Sequence, residues 1–311
     1  MITTDRSAYT YHADGHGRQV PFGGNSMQHG TAVFEGIRCY PGALGPCLFR
    51  LDDHLARLLR SAELVGIGDR PDPAALREHV IAAAAGARMA DCYVRPVLYA
   101  PDAVLGLDLR CLRYSLGVEV WPGHSVPGHP GAALAISPWR RPPGECFPAG
   151  AKATGAYVMS AVARTHAARA GFDDAVQLDM RTGRVVEATV ANIFLVRDDR
   201  LVTPWLQDGP LAGFTRDTVL ALAGDLGIEA LEAPVEVAEL QEADEIFLTG
   251  TAMELVPVRA LEGRSLDPAG PVFTALAARY RAAVTGGLPG REGWLATLQT
   301  RVSTHDSQEE H

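Results

Sequence analysis

Gly150-Ala151-Lys152-Ala153-Thr154-Gly155 is the stretch that contains the only lysine of the 311-residue chain. Lysine and arginine together number 28, so the remaining 27 basic residues (28 − 1) are arginines. Arginine replaces lysine well as a surface cation, but it cannot supply a primary amine that loses its proton and attacks a carbonyl. The alternative is that Lys152 survives by chance in an arginine-rich chain. Its small neighbours leave room for a flat ring against the backbone, which favours a chemical role for the amine.

A buried acid is predicted at Glu187, in the run Val185-Val186-Glu187-Ala188-Thr189-Val190-Ala191-Asn192. Burial among apolar neighbours raises the pKa of a carboxyl group, so an ionised Glu187 requires a cationic partner. The protonated pyridine nitrogen of pyridoxal 5'-phosphate (PLP) would be such a partner, and an amine holds the aldehyde of that cofactor. The alternative for Glu187 is a solvated position on the exposed face of a strand.

Two segments are candidates for binding the phosphate of this cofactor. Gly213-Phe214-Thr215 begins a predicted helix, and the free N–H groups at a helix N-terminus bind anions. The alternative for Thr215 is an ordinary N-cap. The turn Thr249-Gly250-Thr251-Ala252 follows an apolar strand and offers further backbone donors, and Arg57 adds a positive charge. The chain therefore contains a candidate for each group that PLP chemistry requires.

The composition limits the partners that the chain can have. Its formal net charge of −9 and pI near 5.6 argue against nucleic acids and anionic membranes, because both require a dense basic surface. The five cysteines show no C-x-x-C spacing, which argues against a disulfide framework and a zinc site. The first residues lack the apolar region of a signal peptide. We therefore expect a cytoplasmic protein that binds a small molecule and no metal.

The chain length and its patterns predict two domains with a ligand cleft between them. Glycine and proline cluster at residues 122–131, which predicts an interdomain loop between a smaller α+β domain, 1–121, and a larger domain, 132–311. The alternation of strands and helices gives the chain a mixed α+β and α/β character. The patterns predict strands over Ala32–Tyr40, Cys92–Tyr99, Ala132–Ile136 and Arg184–Val196, and helices over Leu51–Gly66, Pro73–Met89, Phe214–Leu226 and Pro271–Val284.

The run His29-Gly30-Thr31-Ala32-Val33-Phe34-Glu35-Gly36-Ile37-Arg38-Cys39-Tyr40 resembles the signature of the branched-chain amino-acid aminotransferases, which are PLP enzymes of fold type IV. The resemblance implies a two-domain fold like that of D-amino-acid aminotransferase, with the cofactor in the interdomain cleft. It continues in the same order over most of the chain, through Tyr93-Val94-Arg95-Pro96, Trp139-Arg140-Arg141, Ala151-Lys152-Ala153, Glu187 with Asn192-Ile193-Phe194, Gly213-Phe214-Thr215-Arg216-Asp217, Thr249-Gly250-Thr251-Ala252-Met253-Glu254 and Gly293-Trp294-Leu295.

The resemblance implies a role for each candidate residue. Lys152 would bind PLP as a Schiff base and move the substrate α-proton, and Glu187 would pair with the pyridine nitrogen. Arg95 would receive the distal carboxylate of glutamate. The loop Leu105–Leu107 would reach into a neighbouring subunit's site, which implies a homodimer or a larger homo-oligomer. Residues that would contact the cofactor are Lys152, Glu187, Arg57, Tyr157, Phe214, Thr215, Gly250 and Thr251. Residues that would contact the substrate are His29, Phe34, Tyr93, Arg95, Thr251 and Ala252.

Departures from the family pattern concern the substrate pocket. His29 stands where the family usually has tyrosine, His124 and Ser125 occupy an interdomain loop in which no tyrosine aligns, and residues 188–191 are bulkier than the family's glycine-rich run. We predict an L-amino-acid:2-oxoglutarate aminotransferase with an aliphatic, branched-chain side-chain pocket. The alternatives within the fold are an aminodeoxychorismate lyase, a D-amino-acid transaminase, an (R)-amine transaminase and a secondary-metabolism aminotransferase. A non-catalytic small-anion binding protein is the alternative from another class, against which the lone Lys152 argues, because anion binding needs no primary amine.

Overall fold

The structure is a computed structural model that describes residues 9–12, 22–43, 45–123 and 129–298. It contains two β-sheets. The chain passes from the first sheet to the second between residues 122 and 132. This change of sheet coincides with the glycine and proline cluster from which the interdomain loop is predicted. The predictions for His124, Ser125 and the first residues fall outside the described residues.

The bounds of several elements agree with the sequence patterns, such as Ala132–Ile136 and Pro271–Val284. None of the helices within the described ranges is long and apolar enough to cross a membrane. In chain order the strands are β1 (Tyr9–His12), β2 (Val33–Phe34), β3 (Ile37–Gly42), β4 (Gly45–Phe49), β5 (Cys92–Tyr99), β6 (Ser115–Pro122), β7 (Ala132–Ile136), β8 (Asp174–Leu178), β9 (Val185–Ala188), β10 (Asn192–Arg197), β11 (Arg200–Pro204), β12 (Ala230–Ala233), β13 (Glu245–Gly250), β14 (Glu254–Leu261), β15 (Arg264–Ser265) and β16 (Leu295–Thr297). The α-helices are α1 (Asn25–His29), α2 (Leu51–Leu64), α3 (Pro73–Gly86), α4 (Tyr157–Arg169), α5 (Phe214–Asp225), α6 (Val237–Glu242) and α7 (Pro271–Val284).

The first sheet has the strand order β1-β6-β5-β3-β4-β16, with β2 paired to β5. Its strands pair antiparallel. Buried and partly exposed residues alternate along β5, because successive side chains of a strand point to opposite faces. Cys92 and Val94 therefore contact the apolar core that this sheet forms with α2 and α3. Tyr93 and Arg95 project from the opposite face, which borders the central cavity.

The second sheet has the strand order β12-β11-β10-β13-β14-β7-β8-β9, with β15 paired to β14. It is mixed, since β7 lies parallel to both β14 and β8, and β11 lies parallel to β12. Helices α5 and α7 pack together and against β13. Tyr40 and Phe49 of the first sheet belong to the same buried apolar cluster as Phe194 of the second sheet, Val219 of α5 and Leu276 of α7. This shared packing holds the two sheets against each other around the cavity.

Two predicted strands are each divided in the structure, so those predictions were wrong in that respect. Ala32–Tyr40 forms β2 and β3, which are interrupted at Glu35-Gly36, and Arg184–Val196 forms β9 and β10, which are interrupted at residues 189–191. Ala188 N–H donates to the Ala191 carbonyl at 2.8 Å and closes a tight turn across the second interruption. Both interruptions contribute residues to the cavity wall. Tertiary contacts there override the local preference for an extended chain.

The last described strand returns to the first sheet. Leu295 of β16 pairs with Phe49 of β4, and the Trp294 ring lies 6.0 Å from the Phe49 ring. Residues of the predicted larger domain, 132–311, therefore add a strand to the sheet of the smaller one. Sequence patterns did not indicate this crossing, because the partner of a short strand depends on long-range packing.

Candidate active site

A cavity of about 1740 Å³ lies between the two sheets, and residues from both line it. His29 is the one candidate residue outside its lining, since it is exposed at the end of α1. No group of three or more His, Cys, Asp or Glu side chains within the described ranges is arranged to hold a metal. The candidates that line the cavity are Phe34, Arg57, Tyr93, Arg95, Lys152, Tyr157, Glu187, Phe214, Thr215, Gly250, Thr251 and Ala252.

Lys152 is fixed at the cavity wall by its backbone and presents its amine to the cavity. Its N–H donates to Ser61 Oγ at 3.0 Å, and its carbonyl accepts from the Phe34 N–H at 3.1 Å. The Nζ atom donates to the Tyr157 hydroxyl at 2.8 Å and lies 5.0 Å from the centre of the Phe34 ring. The fold therefore holds a half-buried primary amine in one place, next to a hydroxyl group.

Glu187 lies on β9 as a buried carboxylate with several donors around it. Arg141 Nη2 is 2.9 Å from Oε1, and Asn192 Nδ2 and the Leu211 N–H donate to Oε2 at 3.0 and 3.2 Å. Burial raises the pKa of Glu187, and the Arg141 charge offsets this only in part. Sequence reasoning missed Arg141 as the cationic neighbour, although the residue occurs in the matching segment Trp139-Arg140-Arg141. Only the packing of the 139–141 segment against β9 reveals the pair.

Arg57 belongs to a buried ionic cluster with Glu35 and His54. Its Nε and Nη2 atoms donate to the two carboxylate oxygens of Glu35, the latter at 2.9 Å, and His54 Nδ1 lies 2.7 Å from Glu35 Oε2. Burial by itself raises the pKa of Glu35, but Arg57 and then His54 outweigh this effect and lower it to about 2. Burial also lowers the pKa of His54. Glu35 thus anchors the Arg57 guanidinium, a role that the sequence did not indicate.

The N-terminus of α5 faces the cavity beside this guanidinium. Its N-cap is Gly213, so no side chain caps the N–H groups of the first turn. A Cβ atom at Gly213 would lie 2.0 Å from Asn192 Oδ1, so the close approach of these segments requires glycine. The Arg57 guanidinium lies 4.3 Å from the centre of the Phe214 ring. A helix N-terminus next to a buried arginine is suited to binding an anion such as a phosphate.

Tyr93 and Arg95 form the wall of the cavity that the first sheet provides. The Arg95 guanidinium lies over the Phe34 ring, 4.0 Å from its centre. A Cβ atom at Gly36 would lie 1.8 Å from Tyr93 Oη, so the position of the tyrosine depends on this glycine. Removal from bulk water raises the pKa of Tyr93 to about 12, which keeps the phenol protonated at neutral pH. This wall therefore offers a cation and a hydroxyl donor to a ligand.

A family model described as amino-transferase class IV matches residues 32–261. The chain belongs to the class IV aminotransferases. A probable branched-chain-amino-acid aminotransferase of Synechocystis sp. is 33% identical to it, over 87% of this chain and 89% of that relative. The fold is similar to that of the branched-chain aminotransferase of Thermoproteus uzoniensis with norvaline, with a TM-score of 0.88 and 36% identity over 94% and 99% of the two chains. It is also similar to the T.th. branched-chain amino acid aminotransferase complexed with N-(5'-phosphopyridoxyl)-L-glutamate, with a TM-score of 0.87 and 33% identity over 93% and 98%.

These comparisons confirm the family resemblance and fold type IV for this class IV aminotransferase. The enzyme is a transaminase, and its family implies PLP as the cofactor. They do not favour the alternatives, neither the other fold-type-IV activities nor a non-catalytic anion-binding protein. The roles of the individual residues stay predictions, because similarity over whole chains does not test any one side chain.

Proposed function

We propose that this class IV aminotransferase binds PLP at Lys152 and transfers the amino group between an aliphatic, branched-chain L-amino acid and 2-oxoglutarate. The observation that carries the proposal is the position of the only lysine of the chain, whose amine lies in the cavity between the two sheets and donates to the Tyr157 hydroxyl. The name of the Synechocystis relative supports the substrate class. The solved structures with norvaline and with a phosphopyridoxyl-glutamate support the cofactor and both kinds of substrate.

The chemistry of the cavity fits this cofactor. Burial raises the pKa of Glu187 even with Arg141 in contact, so a protonated pyridine nitrogen would further stabilise the carboxylate. The uncapped N-terminus of α5 and the Arg57 guanidinium provide donors for a phosphate. Thr249 Oγ1 is buried and makes no hydrogen bond within the described chain. A polar ligand in the cavity would supply the missing partner.

The residues of the cavity have separate roles in the reaction. Bound PLP supplies an electron sink for the substrate α-carbon. Lys152 accepts the α-proton of the donor at Nζ in the first half-reaction and delivers a proton to the 2-oxo carbon of the acceptor in the second, while the Tyr157 hydroxyl, 2.8 Å away, orients the amine. Glu187, held by Asn192 and the Leu211 N–H, would pair through its carboxylate with the protonated ring nitrogen of the bound cofactor. Arg57, Phe214, Thr215, Gly250 and Thr251, which all line the cavity, would hold the phosphate.

We assign substrate binding to residues of the first sheet and of the turn after β13. Tyr93 and the Thr251-Ala252 turn bind the α-carboxylate, and the Phe34 ring contacts an aliphatic side chain. Arg95 binds the distal carboxylate of glutamate or 2-oxoglutarate, because a carboxylate inside an apolar pocket needs a cation to offset its loss of hydration. Its guanidinium makes no ion pair within the described chain and is therefore available.

We further propose that the enzyme is a homodimer with a domain boundary at residues 122–131. Leu105 and Leu107 are 82% and 66% exposed, and Val158 on α4 is 65% exposed. Leu105–Leu107 is the loop predicted to reach the neighbouring subunit, and burying its two exposed leucines there would be favourable. Sedimentation velocity tests the assembly, and a monomer at micromolar concentration would contradict it. A cytoplasmic location stays a prediction from the sequence.

Borohydride reduction followed by peptide mapping tests the cofactor assignment. The purified enzyme should be yellow, and reduction should fix PLP covalently on Lys152, because the N-terminus is the only competing amine. Cofactor retained with an unmodified Lys152 would overturn the assignment. A screen of L- and D-amino acids with 2-oxoglutarate, with chiral analysis of the product, tests the reaction. Absence of turnover with leucine, isoleucine and valine would overturn the proposed substrate class.

A further inference from the structure

A carboxylate, Glu119, lies on the wall of the same cavity that holds the Lys152 amine. Strands β5 and β6 pair antiparallel, and their register places Arg95 opposite Glu119 and Tyr93 opposite Trp121. Side chains of directly opposed residues project from the same face of a sheet. The wall assigned to the substrate side chain therefore contains a negative charge next to a positive one.

These two charges do not neutralise each other by direct contact. The described chain shows no Arg95–Glu119 ion pair within 4.0 Å. The Arg95 guanidinium lies over the Phe34 ring, and Glu119 Oε2 accepts a long hydrogen bond of 3.4 Å from Trp121 Nε1. A carboxylate has acceptor sites for about four hydrogen bonds, and a guanidinium has about five N–H donors. Both groups therefore keep capacity for a ligand.

The chemistry of this pair distinguishes between substrates with polar side-chain ends. A distal carboxylate that binds Arg95 also meets the like charge of Glu119 on the same face of the sheet, so its binding is weaker than Arg95 alone would give. A distal carboxamide has the same shape, but its carbonyl oxygen accepts from arginine and its NH₂ group donates to a carboxylate. The carboxamide satisfies both groups, whereas the carboxylate satisfies one and is repelled by the other.

We propose that Glu119 is a specificity-determining residue that lets the pocket accept a distal carboxamide on polar amino donors in addition to the distal carboxylate that Arg95 binds. The inference rests on the proposed aminotransferase function and adds a substrate class to it. In the reaction the donor loses its α-amino group and its α-proton and becomes the 2-oxo acid, while the distal amide is unchanged. Glu119 therefore contacts no reacting atom and acts on the choice of substrate, and aliphatic donors depend on it little.

The test compares the holoenzyme with its Glu119→Gln variant in single-turnover half-reactions with glutamine, glutamate and leucine. Glutamine and glutamate are nearly isosteric, so their ratio of kcat/KM isolates the distal group. Removing one charge-assisted hydrogen bond and one like-charge contact should lower the glutamine-to-glutamate ratio by about tenfold or more. The value for leucine should change by less than about threefold. Glu78→Gln is the matched control, because Glu78 is an exposed glutamate of α3 outside the cavity lining.

The outcomes separate this inference from the proposed function. A lowered ratio in Glu119→Gln, with an unchanged ratio in Glu78→Gln and normal reaction of leucine, supports the inference. A ratio within about threefold of the wild-type value, with leucine still reacting, overturns it and leaves the proposed function in place. Equal losses for all three donors also overturn it, because they indicate a structural role for Glu119. Failure of every L-amino acid to react with the wild-type holoenzyme would overturn the proposed function itself.

Discussion

Replacing Glu35 by glutamine should destabilise the protein strongly, because Glu35 is the anion of the buried cluster with Arg57 and His54. Its pKa falls from an ordinary 4.5 to about 2, and one pKa unit corresponds to about 1.4 kcal/mol, so ionised Glu35 stabilises the folded state by about 3 kcal/mol. The cost of removing one partner of a buried ion pair, about 3–5 kcal/mol, has the same size. The variant leaves the Arg57 guanidinium buried without its carboxylate.

The pH dependence of the free energy of unfolding provides a second test of the Glu35 contribution, because the direction of the change with pH is defined. The pKa of Glu35 is lower in the folded state than in the unfolded chain, so its contribution is complete above about pH 4.5 and is lost as the pH falls toward 2. The wild-type free energy of unfolding should therefore contain a component that declines over this window. The Glu35→Gln variant should lack that component, since glutamine does not titrate.

Urea unfolding, followed by tryptophan fluorescence and circular dichroism, measures both effects. At pH 7, Glu35→Gln should lower the free energy of unfolding by about 3–5 kcal/mol. Glu63→Gln is the control, because Glu63, on the helix α2 that also carries Arg57, pairs with Arg70 at 3.7 Å on the surface, where an ion pair contributes about 1 kcal/mol or less. Similar small losses in both variants would refute the reasoning. Glu35→Gln should also retain PLP less tightly than Glu63→Gln, because Arg57 loses its anchor.

Three further substitutions test the assigned roles of the cavity residues. Glu187→Gln should keep the fold and much of the PLP but lose most of the turnover, because the ring nitrogen then lacks a negative partner; near-normal turnover would assign that partner to another carboxylate. Arg95→Ala should lower kcat/KM for glutamate and 2-oxoglutarate roughly ten- to a hundredfold, with a much smaller effect on the leucine half-reaction in single-turnover spectroscopy. Equal losses for both donors would place Arg95 at the α-carboxylate or in the fold. Gly36→Ala introduces a Cβ atom 1.8 Å from Tyr93 Oη, so it should displace the tyrosine and raise KM for amino acids about tenfold. An unchanged KM in steady-state assays would remove Tyr93 from the substrate site.

Chemistry that depends on the identity of one residue could be predicted from the sequence. The lone Lys152 indicated an amine-dependent reaction, and the resemblance around it supplied the family and fold type that the comparisons confirm. Strands and helices with clear periodicity, such as Ala132–Ile136 and Pro271–Val284, were also predicted with their bounds. These features are local, because hydrophobic periodicity and turn residues act through neighbours in the chain.

Tertiary structure alone decided which side chains meet across the fold. Arg141 contacts Glu187, and Glu35 binds Arg57. The two residues of each pair belong to segments that are separated in the sequence or lie on different elements. The register of β5 and β6 places Glu119 beside Arg95, and a shift of one residue would turn that carboxylate to the other face. Such pairs depend on strand register and on the desolvation of buried charges, which arise only when distant segments pack together. For that reason the sequence by itself determined the kind of reaction, whereas the folded cavity determined the electrostatic surroundings in which it takes place.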